Sequence, residues 1–257
     1  MFFLLAHGTW ATHVRGGYLD YRWLSANSYE FSAIIYLDAN GVHAQPEITI
    51  AGLPDLVTLP LIAYEPIPGA AGKDTRKGIY RGVYTFPVIP FLGVVIYKAA
   101  VILPNRNTGV VNLSPPSDQI SYFIETEIQI NPYLGANSSP VFSDNLPVIN
   151  APINETSIAA ISATDADGDS LVYSIIPTLQ SKGKVATGYV QPDQVSACAS
   201  CTFTIDRDSG TITWDRPVRG GEYVVTVKVE EYRRVANTSN YTRNGYITRD
   251  IQVLVYD

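Results

Sequence analysis

Residues 162–177 read "SATDADGDSLVYSIIP". Three aspartates, Asp165, Asp167 and Asp169, alternate over a short stretch, and Gly168 sits between the last two. Short carboxylates that cap local amides, with a glycine to permit the bend, are turn chemistry. The residues that follow are rich in Val, Tyr and Ile and stop at Pro177. That composition, bounded by turn formers, reads as a β-strand.

The same texture extends in both directions. Downstream come "CTFTI" (201–205), "TITWD" (211–215), "GEYVVTVKVEEYR" (221–233) and "NGYITRDIQVLVYD" (244–257). Between the first two, "IDRDSGTITW" reads as a hairpin: Asp206 and Asp208 favour the turn and Gly210 takes the positive φ. Upstream come "SIAAISAT" (157–164) and, earlier, strand signals at 18–24, 29–37, 47–53, 57–64, 78–86, 94–103 and 119–130. No amphipathic helix of three turns interrupts them. The expected fold is all-β, and strands at this spacing suggest antiparallel sandwiches.

One stretch differs in character. "NPYLGANSSPVFSDNLP" (131–147) carries prolines, a glycine and small polar residues, which is linker chemistry. The expected organisation is therefore a signal-peptide remnant at 1–11, a β-sandwich domain at 12–133, a linker at 134–147, and a second β-sandwich at 148–257. The start, "MFFLLAHGTWATH", is apolar and ends in a Thr-x-Ala triplet, so export to the cell surface or beyond is expected. No later run approaches the roughly 18 apolar residues of a membrane helix.

Composition narrows the function. Charged residues are 16% of the 257-residue chain and the net charge is −6, which argues against a nucleic-acid partner. No nucleophile elbow, zinc-protease helix or phosphate-binding loop occurs, and adjacent Glu230 and Glu231 on a strand face opposite ways, so no enzyme is expected. The two cysteines, Cys198 and Cys201, form "CASC"; three scattered histidines do not complete a zinc set. An exported chain leaves a local disulfide or two free thiols. Tyr18, Tyr21 and Trp23 form an aromatic row that either packs a sheet or holds a glycan ring, and Trp214 is expected in the core. Sequons at Asn112, Asn137, Asn154, Asn237 and Asn240 would mark surface loops in a eukaryotic secreted protein.

The second half, through "NSSPVF", "ATDADGDSLVYSI", "FTIDRDSGTITWD" and "GEYVVTVKVEEYR", is similar to the cadherin-like and immunoglobulin-like modules of bacterial surface proteins. The first half, through "THVRGGYLDYRWL", "YEFSAIIYLDANG" and "NRNTGVVNLSPPSDQISYFIETEIQI", resembles a module found just upstream of these in exported Bacteroidetes proteins, often gliding- or surface-associated and secreted by the type IX route. The resemblance implies a surface adhesion or spacer module of a larger protein, whose partner is a surface protein or a glycan. The alternative is a carbohydrate-binding accessory module of a secreted enzyme. The cadherin likeness also implies calcium, held by Asp165, Asp167 and Asp169 with Asn137 and Glu155 across the junction. Calcium takes six to eight oxygens, so clustered carboxylates suit it. Cadherin linkers are acidic, whereas "GANSSP" offers only Asn137 and two serines, and the alternative is a plain Asx-type turn.

Overall fold

The computed structural model describes residues 13–38, 46–51, 53, 56–67, 75–87, 93–143, 148–198 and 200–257. The expected signal remnant at 1–11 and positions 144–147 of the expected linker lie outside the described residues. Among the described residues the helical segments are two single 3-10 turns, and the dominant elements are strands. In chain order these are β1 (Val14–Ser25), β2 (Ser28–Asp38), β3 (Glu47–Ile50), β4 (Leu56–Thr58), β5 (Leu61–Ile67), β6 (Thr75–Thr85), β7 (Val95–Leu103), β8 (Tyr122–Ile130), β9 (Val141–Phe142), β10 (Val148–Pro152), β11 (Ser157–Ala160), β12 (Ala163–Thr164), β13 (Ser170–Ile176), β14 (Leu179–Ser181), β15 (Lys184–Val185), β16 (Thr202–Ile205), β17 (Thr211–Asp215), β18 (Gly221–Arg234) and β19 (Tyr241–Tyr256). The protein is all-β, and among the described residues, apart from isolated bridges, the strand ladders are antiparallel except β10 with β19.

The long last strand organises the rest. One edge of β19 pairs with β18 along almost its whole length. Its other edge is taken in succession by β8 at residues 245–247, by β1 at 249–250, and by β10 at 252–256. Two arms leave this seam: β8-β7-β3-β4 and β1-β2-β6-β5. Close approach at the seam explains "RGGY". A Cβ on Gly16 would sit 2.5 Å from the Asp250 carbonyl oxygen, and Gly17 adopts φ +150°, where only glycine is unstrained.

Two cores follow from this fork. Leu19, Tyr21, Phe31, Ala33, Ile35 and Leu37 point between the arms and pack with Val101, Tyr122, Ile124 and Ile128. Their neighbours Tyr18, Ile34 and Tyr36 point the other way, into a core with Phe142, Trp214, Tyr223, Val225 and Ile251. The sheet β11-β17-β16 faces this second core through Ile212 and Trp214. β1 and β2 are thus buried on both faces, which is why residues 33–37 read as an unbroken apolar run.

The expected linker differs from its composition. Asn137 and Ser139 are buried, the Ser139 amide donates to the Tyr21 carbonyl oxygen at 2.9 Å, and the Tyr21 amide donates back to Ser139 Oγ at 2.9 Å. The segment is laced to β1, because its backbone has found partners that composition alone does not reveal. Tyr18 and Tyr21, three residues apart on one strand, lie in opposite cores, so the aromatic row is not an open platform; Trp23 alone of the three is exposed. Buried ions also lock the seam: Arg106 pairs with Asp250 at 2.7 Å, both fully enclosed, and the Arg249 guanidinium lies 4.8 Å from the Phe142 ring centre.

Candidate functional site

The aspartate turn lies against the far end of β18. Asp165 Oδ1 accepts the amides of Asp167 and Asp169, both at 2.9 Å, and Gly168 takes φ +81°. This is an Asx-type turn, built as its residue types dictate. Asp167 Oδ2 then accepts the Ser138 amide at 2.6 Å, which fixes the turn to the 134–139 segment.

A cation already occupies the centre. Arg233 donates from Nε to Asp169 Oδ1 at 2.7 Å and from Nη2 to Asp169 Oδ2 at 3.0 Å. Its Nη2 also reaches Asn137 Oδ1 at 2.7 Å, and its Nη1 reaches the carbonyls of Ala136 at 2.7 Å and Leu134 at 3.0 Å. Burial disfavours the guanidinium charge, but the bond to Asp169 and the charges of all three aspartates hold its pKa above the usual range. Bidentate pairing of this kind is among the stronger charge-assisted contacts.

Glu231 lies two residues earlier on the same strand and so on the same face. It is fully buried; its Oε1 accepts from Asn137 Nδ2 at 2.6 Å and from the Tyr21 hydroxyl at 3.2 Å. Its Oε2 has no hydrogen-bond partner, and neither has Asp165 Oδ2. Asp165, Asp169 and Glu231 each offer an oxygen within 4.8 Å of the others. Burial first, and the nearby Asp165 and Asp169 charges after it, push the Glu231 carboxyl up to about 9. Burial also raises Asp165. Asn244 completes the cluster. The ladder register shifts between Glu231, opposite Gly245, and Tyr232, opposite Arg243. This bulge turns Asn244 inward, where its amide donates to Asn137 Oδ1 at 2.7 Å and Asp169 Oδ2 at 3.2 Å.

Tested against calcium, the five residues expected from the sequence do not make one coordination shell. Glu155 lies at the opposite end of β18: its neighbours Asn154 and Thr156 bond to Pro217 and Asp215, just before that strand begins. At about 3.3 Å per residue, that end is roughly 40 Å from Arg233. Asp169 and Asn137 do come together, but their oxygens hold the guanidinium, and Asp167 caps Ser138. The sequence reading missed Arg233, Glu231 and Asn244. The Glu-x-Arg alternation in "EEYR" was the available signal, since it places a carboxyl and a guanidinium on one strand face.

Other sequence candidates fall elsewhere. Cys198 and Cys201 are joined by a disulfide, with Cα atoms 5.4 Å apart. Trp214 is buried against Phe203 and Tyr223. Asn112 is buried and bonds to the Val190 and Val224 carbonyls, so that sequon is no surface loop. Glu230 faces away from Glu231 and pairs with Lys228 at 2.7 Å and Arg243 at 3.3 Å. On that outer face a groove of about 200 Å³ runs over Phe123, Glu125, Lys228, Tyr246 and Thr248. Tyr246 bonds to Glu125, accepts from Lys98 at 2.8 Å, and has Lys228 4.5 Å from its ring centre.

No known protein family matches the chain, and no curated protein matches it. Among solved structures, a tandem pair of immunoglobulin domains from titin is similar at 11% identity, covering 94% of this chain and 98% of that one. Its TM-score of 0.24 is too loose a superposition to carry anything across.

Proposed function

We propose that the chain is a non-catalytic extracellular module of a larger exported protein, two antiparallel β-sandwiches fused along β19, which displays a contact surface. The observation that supports display over end-to-end spacing is the β1–β19 ladder. Gly17 pairs with Asp250 in antiparallel register, so the start of β1 and the end of β19 lie at the same end of the sheet. A module strung in line as a spacer is best served by termini at opposite ends, where load shears many hydrogen bonds at once. Here, load applied at the start of β1 and the end of β19 peels ladders pair by pair.

Single-molecule pulling tests this. Handles at His13 and Asp257 should unfold the protein at lower force than handles at His13 and Asn240, which stand at opposite ends of the seam. Equal or higher force in the first geometry would favour the spacer. The second reading, a carbohydrate-binding accessory module, draws on the groove beside Tyr246, whose hydroxyl bonds to Lys98 and Glu125 and whose ring has Lys98 and Lys228 beside it. Saturable glycan binding that is lost in a Lys98→Ala, Lys228→Ala variant would favour it.

A further inference from the structure

We infer that Arg233 is the resident cation of the Asp165–Asp169 cluster, standing where a calcium ion would otherwise join the turn to the 134–139 segment. The oxygens it holds are of the kinds that calcium takes: two from a carboxylate, one from a side-chain amide and two from main-chain carbonyls. They come from both sides of the junction, and a second carboxylate, Asp167, lies 3.6 Å from the same guanidinium. Asp165 and Glu231, which with Asp169 bring carboxylate oxygens within 4.8 Å of one another, each also carry one oxygen without a hydrogen-bond partner. Around one guanidinium the chain therefore gathers five oxygens of the kinds a hard cation takes, yet the cation is covalently part of β18. A guanidinium is always charged and donates in a fixed plane, so it makes the clasp permanent, whereas an ion would make it conditional on supply.

Removing the side chain should expose the latent shell. Wild-type protein should melt at the same temperature in about 10 mM calcium chloride and in chelator. Arg233→Ala should melt lower in chelator and regain stability with calcium. For a weak site of ~10⁻³ M the rise is about 3–6 °C. Should Arg233→Ala not fold in chelator, calcium-dependent recovery of its tryptophan fluorescence reads the same response. Arg233→Lys keeps a cation in place and should stay insensitive. A calcium shift in the wild type as large as in Arg233→Ala would overturn the inference. So would an Arg233→Ala protein unmoved by calcium in both melting and refolding, or an Arg233→Lys protein that responds as strongly as Arg233→Ala.

Discussion

Replacing Glu231 with glutamine should make the protein more stable at alkaline pH and flatten its pH dependence. The folded carboxyl is pushed up to about 9 by burial, while an unfolded glutamate titrates near 4.3. Between these values the native state holds a proton that the unfolded chain has released. The stabilisation is thus fully present below about pH 4 and is lost as pH rises towards 9. Each pH unit in that window removes about 1.4 kcal/mol, so pH 5 to 8 costs about 4 kcal/mol, or about 8–16 °C in Tm for a chain of this size. Asp20, pushed up to about 7 by burial, adds to the fall below neutrality and remains in the variant. Glutamine fits the site: its oxygen can accept from Asn137 and Tyr21 as Oε1 does, and its amide can donate towards Asp165, whose Oδ2 lacks a partner. Urea unfolding at pH 5, 6, 7 and 8 measures the slope for both proteins. A Glu231→Gln slope equal to that of the wild type, or a wild type whose stability rises from pH 5 to 8, would refute the reasoning.

Two other perturbations follow from the seam and the disulfide. Arg106→Met leaves Asp250 buried and without its ion pair, so unfolding free energy at neutral pH should drop by about 3–5 kcal/mol; a loss under 1 kcal/mol would mean that Asp250 finds another partner. Reducing Cys198–Cys201 should cost at most about 2 kcal/mol, since the closed loop is short, and calorimetry with and without reductant should show a small Tm decrease with the fold retained.

Most strands were legible because each carries its own alternation or β-branched run between turn formers. β10 was not: "VINAP" is short, ends in proline and is stabilised by the parallel ladder to β19, a partner more than a hundred residues away. The apolar run at 33–37 did show in the sequence, but periodicity cannot say that its two faces enter two different cores. The 131–147 segment misled for the opposite reason. Its prolines, glycine and serines have linker composition, yet Asn137 and Ser139 are consumed by tertiary hydrogen bonds. At the site, the Asp165 turn is local and was readable. Arg233 and Glu231 come to it from a strand distant in sequence, and Glu155, close to the junction in sequence, is carried away by the length of the sheet.

Closure of the N-terminal arms depends on β19. Residues 13–143 expressed alone lack the strand that joins β8 to β1, and would expose Tyr18, Ile34 and Tyr36 to water. A two-dimensional amide NMR spectrum of that fragment is the direct test. Collapsed, poorly dispersed resonances are the expected result. A dispersed spectrum with one sharp peak per residue would show a self-sufficient domain and contradict it.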